Sequence, residues 1–235
     1  MRTTQTRLKV CCISTADEAR TALSLAADVL GLVSAMPSGP GVIDDAVIAQ
    51  IVAALPSGTE SFLLTSATEA AGLIAQQRGS GVKALQLVDT VAAEVIREVR
   101  AACPGVRLIQ VIHILDEASF DEAVVALPHV DALLLDSGNP RLAIKELGGS
   151  GRVHDWSLSR RIRDLAAGSG VPTYLAGGLV HSNAEQAIRA VQPFGLDVCS
   201  GVRTDGMLDA EKLALFVTAM RRVDRERIAI DPAAN

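Results

Sequence analysis

Short apolar runs and helix-forming segments alternate eight times along this chain, and that alternation limits its possible folds more than any other feature. Strand-like runs are expected at Leu8–Ser14, Asp28–Ala35, Ser61–Thr65, Gly81–Leu87, Val106–Ile114, Val130–Leu135, Pro172–Ala176 and Leu196–Ser200. A helix is expected after each. The first starts at Thr15 as cap, with Asp17 and Glu18 in its first turn. The others cover Ile43–Ala54, Ala67–Gln77, Thr90–Ala102, Glu117–Leu127, Leu158–Ala167, Asn183–Val191 and Asp209–Arg222. Strict alternation with short links implies parallel strands and right-handed crossovers. An open doubly wound sheet is the rival, but it seldom needs eight equal units, and no Gly-x-Gly-x-x-Gly follows the first strand. The expected fold is a single (β/α)8 barrel over residues 1–223, with a frayed tail at 224–235.

The apolar content supports strands buried on both faces. Hydrophobic residues make up 49% of the 235, yet aromatics only 3%; the rest is mainly Ala, Val, Leu and Ile. No run reaches the roughly 18 apolar residues of a membrane span, and no apolar signal core follows the polar N-terminal residues. A net charge of -5 argues against a nucleic-acid partner. Cysteines at 11, 12, 103 and 199 lack metal-ligand spacing, and no carboxylate or histidine cluster suggests a metal. Neither a metal nor an organic cofactor is expected. Reduced thiols in a cytoplasmic protein, monomeric or homodimeric, are the expectation.

Two segments speak to ligand chemistry. Tyr174-Leu-Ala-Gly-Gly-Leu179 and Leu196-Asp-Val-Cys-Ser-Gly-Val202 each read as a buried strand ending in small residues. Glycine there lets a ligand approach the backbone N–H groups. In a β/α barrel the loops after strands 7 and 8 are the usual phosphate site. Ala176, Gly177, Gly178, Ser200 and Gly201 are therefore candidate phosphate contacts, joined by Gly149, Ser150 and Gly151 from a long loop at 137–156 that reads as a lid. A small phosphorylated metabolite is the expected ligand.

The motifs together resemble the phosphoribosylanthranilate isomerase family. They are Lys9-Val-Cys-Cys-Ile-Ser14, Leu134-Leu-Asp136, Gly148-Gly-Ser-Gly151 with Asp155-Trp156, Leu175-Ala-Gly-Gly-Leu179 with Asn183, and Asp197 followed by Ser200-Gly-Val202. The resemblance covers nearly the whole chain. It implies an Amadori rearrangement of an N-(5-phosphoribosyl) amine, of the kind used in tryptophan biosynthesis, without a cofactor. It also implies that Cys11 is the general base and Asp136 the general acid. A thiol acting as base needs a lowered pKa.

Four positions depart from the family pattern. The stretch Pro37–Val42 has no arginine, where the family uses one to hold the anthranilate carboxylate. Gln86-Leu87 is followed by Val88 rather than histidine, and Ser200-Gly-Val202 by Arg203 rather than glutamate. Cys12 stands where the family has glycine. Gln86, Arg152, His154 and Arg203 are candidate substrate contacts, with Arg203 or the 152–154 loop able to supply the missing cation. Two other readings stay open: a related barrel acting on another phosphorylated sugar, and a barrel that binds a phosphometabolite without turnover. By alternation, Cys12 is expected to face the helices and Cys199 to fill space. Asp155 is expected as an N-cap, Trp156 as a packing anchor, and His113 as either core or barrel lining.

Overall fold

The structure is a computed structural model, which describes residues 5–142, 145 and 153–230. Eight parallel strands close on one another in chain order: β1 Arg7–Val10, β2 Val29–Val33, β3 Glu60–Thr65, β4 Ala84–Leu87, β5 Arg107–His113, β6 Ala132–Asp136, β7 Thr173–Leu175 and β8 Gly195–Val198. Closure is made by β1 on β8, with Leu8 opposite Leu196 and Val10 opposite Val198. The helices are α1 Ala16–Ser24, α2 Asp45–Ala54, α3 Ala70–Ser80, α4 Ala93–Ala102, α5 Ala118–Ala126, α6 Trp156–Gly168, α7 His181–Val191 and α8 Ala210–Ile230. The expected barrel is the observed one.

Two apolar cores follow from the strand period of two. One face of each strand packs against the helices, through Leu8, Val10, Leu30, Leu63, Leu85, Leu133, Leu175 and Leu196. The other face fills the barrel, through Val29, Phe62, Ala84, Ile109, Val111, Ala132, Leu134 and Tyr174. The interior is plugged at the strand N-terminal end by aromatic rings. Tyr174 meets Phe62 edge-on at 5.8 Å and Phe194 at 5.5 Å. Gly195 is needed beside this plug, since a Cβ there would lie 2.7 Å from the Tyr174 ring.

Local signals set the helix starts. Thr15 accepts a hydrogen bond from the Glu18 N–H, and Asp155 accepts from those of Ser157 and Leu158. Trp156 is half-buried against the outer core, as expected of an anchor. The tail expected to fray from residue 224 is instead helical as far as Ile230. Asp224 is buried within α8 and accepts from both the Thr6 N–H, at 3.1 Å, and its hydroxyl, at 2.8 Å. Arg221 pairs with the same carboxylate at 2.9 Å. A charge that looked like solvated tail is the clamp between α8 and the entry to β1.

Candidate active site

A cleft open to solvent occupies the strand C-terminal mouth of the barrel. Residues on the inward phase reach it: Cys11 beyond β1, Gln86 on β4, Asp136 on β6, Ala176 beyond β7, and Asp197 and Cys199 at β8. Gly177, Gly178 and Ser200 line it as well. Cys11, Asp136, Gln86, Ala176, Gly177, Gly178 and Ser200 are thus brought together as expected. Gly201 sits just behind them, where a Cβ would lie 1.9 Å from the Leu179 carbonyl oxygen. Gly149, Ser150, Gly151 and Arg152 lie outside the described residues.

Cys11 is buried, and its N–H donates to the Val198 carbonyl at 2.8 Å. Beneath it, Lys9 is fully buried and pairs with Asp197 at 2.8 Å. Gly31 on β2 makes the room, since a Cβ there would lie 2.9 Å from both the Cys11 Sγ and the Lys9 Nζ. The Cys12 thiol donating to it holds the Cys11 thiol below its ordinary pKa, against burial, with the Lys9 ammonium adding to the effect. Burial works against the Lys9 charge, but Asp197 outweighs it and keeps the ammonium above its ordinary value. Asp197 Oδ1 is buried and has no hydrogen-bond partner among the described residues.

Cys12 does not face the helices. β1 ends at Val10, and Cys12 takes a left-handed φ of +63° that turns its side chain back to the cleft beside Cys11. Strand alternation stops applying once the strand has ended. Cys199 lines the cleft too, and its Sγ lies 2.7 Å from that of Cys12. Hydrogen bonding with Cys11 and then with Cys199 pushes the Cys12 thiol up, so it stays protonated. The loop that carries an arginine in the resembling family folds over this thiol. Gly41 has a φ of +78°, and the Cys12 Sγ lies 3.5 Å from the Pro40 carbonyl oxygen.

Asp136 is buried, and its Oδ1 accepts the Ser137 N–H at 2.7 Å. Gly177 and Gly178 follow β7 with φ of +83° and +62°, which favours glycine. Asn183 pins this turn, donating to the Gly178 carbonyl and accepting from the Val180 N–H, each at 2.9 Å. A Cβ at Gly177 would lie 2.8 Å from the Ser137 Oγ and 3.0 Å from the His154 Nδ1. His154 is therefore packed behind the glycine turn and is not a solvated loop residue. Burial lowers its pKa to about 4.

Arg203 is not free to bind a ligand. It pairs with Glu18 at 2.9 Å, and the two side chains are 8% and 5% exposed. It also donates to the Cys11 carbonyl at 3.1 Å and the Cys12 carbonyl at 2.5 Å. A charge following a phosphate-type loop suggested a ligand, but the structure makes it a brace for the backbone that bears Cys11. His113 is buried with Nε2 2.9 Å from the Val88 carbonyl oxygen, and it does not line the cleft. Gln86 Oε1 is buried with no partner among the described residues. On the β2–β3 side the wall is apolar, made by Val33, Met36, Pro40 and Leu64. Among the described residues, no lysine or arginine lines the cleft, and no group of histidine, cysteine or acidic side chains could hold a metal ion.

Sequence reasoning left Lys9, Asp197, Cys12 and Cys199 off the list of site residues. A signal for the first two was present. Each is the one charge within its apolar run, Leu8–Ser14 or Leu196–Ser200, on the phase shared with Cys11 and Cys199.

Comparison with known proteins places this architecture among relatives. The model of the N-(5'-phosphoribosyl)anthranilate (PRA) isomerase family matches residues 8–219. N-(5'-phosphoribosyl)anthranilate isomerase 1 of Methanosarcina mazei is 31% identical, covering 92% of this chain and 95% of its own. The corresponding isomerase of Halorubrum lacusprofundi is 33% identical, over 90% and 94%. The crystal structure of phosphoribosyl anthranilate isomerase from Thermotoga maritima superposes with a TM-score of 0.79 at 25% identity, covering 93% of this chain and all of that one.

Proposed function

Because the chain belongs to the N-(5'-phosphoribosyl)anthranilate isomerase family, we propose that Cys11 and Asp136 carry out its aldose–ketose isomerisation as base and acid. The observation that carries this reading is that a thiol held below its ordinary pKa and a buried carboxyl group line one cleft. They come from strands 1 and 6 and are separated around the ring by β7 and β8. An acid and a base must address different atoms of a small sugar, and this spacing supplies that.

Asp136, protonated, gives its proton to the ribose ring oxygen as the C1–O bond breaks. The amine lone pair forms the C1=N bond of a Schiff base. The Cys11 thiolate then takes the proton from C2, and the C2 electrons move to give an enolamine. That enolamine tautomerises to the 1-amino-1-deoxy ketose. The substrate phosphate sits at the turns 176–178 and 200–201; the first precedes α7 and has positive φ at Gly177 and Gly178, and in the second a Cβ at Gly201 would meet the Leu179 carbonyl oxygen. Gln86 Oε1 and Asp197 Oδ1, which have no partner among the described residues, take the ribose hydroxyls.

The apolar wall of Val33, Met36, Pro40 and Leu64 favours a second reading, in which amines other than anthranilate are also accepted. An aromatic ring packs on such a wall, but among the described residues no cation meets a carboxylate there. Steady-state turnover of phosphoribosylanthranilate and of phosphoribosylated amines without a carboxylate tests both readings. Turnover of the anthranilate compound that Cys11→Ala and Asp136→Ala abolish is expected. A folded protein with no turnover of any such amine would overturn the assignment.

A further inference from the structure

We propose that Cys12 and Cys199 form a reversible disulfide across the mouth of the cleft when the protein meets hydrogen peroxide. Both are free thiols, and their sulphurs are 2.7 Å apart, against about 2.05 Å in a formed disulfide. The backbone already holds them in place. β1 and β8 pair in parallel up to Val10 opposite Val198, and the Cys11 N–H extends that ladder to the Val198 carbonyl. That register sets Cys199 opposite Cys11, one residue before Cys12. The left-handed turn at Cys12 swings its sulphur toward β8. No large rearrangement is needed.

The other thiols are poorer partners. Cys103 is buried at the end of α4, away from the cleft. A Cys11–Cys12 bond would join adjacent residues and force their planar peptide out of shape. Cys199 is the more exposed of the proposed pair and lines the cleft, so a small peroxide reaches it first. As the thiolate it attacks one peroxide oxygen, becomes a sulfenic acid, and the other oxygen leaves as water. The Cys12 sulphur then displaces the sulfenic hydroxyl. The S–S bond forms, and that hydroxyl leaves with the Cys12 proton as a second water. Two thiols lose two electrons, and one hydrogen peroxide becomes two waters.

The bond would reach the chemistry through Cys12. Its thiol, which holds the Cys11 pKa down, is gone once the disulfide exists. Formation of the bond does not depend on the functional reading; the loss of isomerisation does.

The test treats the purified protein with hydrogen peroxide, caps free thiols, digests without reduction and maps the linked peptides by mass. A Cys12–Cys199 link, two hydrogens lighter and removed by dithiothreitol, is the expected result. It should be absent in Cys199→Ser and kept in Cys103→Ser. Isomerase turnover should fall about tenfold or more and return on reduction. Cys12 and Cys199 both recovered capped, or Cys11 found as the linked or over-oxidised partner, would overturn the proposal. A link that leaves turnover intact would overturn its regulatory part. If the protein had no isomerase turnover, the peptide map would still decide the bond.

Discussion

Gly41 and Cys12 compete for one space: a Cβ at Gly41 would lie 2.4 Å from the Cβ of Cys12. Both also sit at left-handed φ, which glycine adopts freely and cysteine only at a cost. Gly41→Ala is expected to lower stability by about 2–3 kcal/mol, of which about 1–2 kcal/mol is the backbone alone. Made together with Cys12→Gly, the same change should cost only the backbone share. Denaturant unfolding of the four proteins measures the coupling, and equal costs in both backgrounds would show that the contact is not felt.

Cys12→Gly also removes the thiol that donates to Cys11. The Cys11 pKa is lowered in the folded protein, so the base is available at lower pH than a free thiol would be. Losing the donor raises that pKa. The acidic limb of the kcat/KM profile should then move to higher pH, while the alkaline plateau stays near its original height. A limb that does not move would sever Cys12 from the ionisation of the base.

Lys9→Met leaves Asp197 buried without its partner. Breaking a buried pair in this way costs about 3–5 kcal/mol. Combining it with Asp197→Leu should recover much of the stability while leaving the enzyme inactive. Thermal unfolding and turnover, measured on the same samples, separate the two effects.

Arg203→Met tests brace against ligand. As a brace to Glu18 and to the carbonyls of Cys11 and Cys12, its loss should cost on the order of 3 kcal/mol and reduce kcat. The preference between carboxylated and uncarboxylated amines should not change. A selective rise in KM for the carboxylated amine would restore Arg203 as a ligand.

His154 is held neutral by burial, with its pKa near 4 against about 6.5 when unfolded. Below pH about 6.5 the unfolded chain binds a proton that the folded one refuses, so stability rises with pH through this window. It should fall by on the order of 3 kcal/mol between pH 6.5 and 4. His154→Phe should flatten that part of the curve, and an unchanged slope would assign it to other groups.

The barrel was legible because eight apolar runs of strand length alternate with capped helices, and local pattern carries that information. The site was legible wherever strand phase held: Gln86, Asp136 and Ala176 all fall where alternation puts them. It failed two residues past the end of β1. Cys12 turns inward because its φ is positive, and no pattern of apolar residues encodes a dihedral angle. Arg203 was misread for a related reason. Its partners include Glu18, 185 residues away, and the carbonyls of Cys11 and Cys12, and none of these leaves a mark beside it in the sequence. Asp224 looked like tail because its partner, Thr6, lies 218 residues earlier.

These distant partners set an order in time. Cys11 leaves the ribosome long before the residues that surround it. Yet the charge partner of Lys9, the thiol next to Cys12, the brace on its carbonyls and the clamp on Thr6 come from residues 197, 199, 203 and 224. The base is translated early and its surroundings last. A nascent chain stalled before Asp197 could hold seven strands and still lack the partner of Lys9, the thiol beside Cys12 and the brace on the carbonyl of Cys11, so the site is complete only when β8 closes the ring.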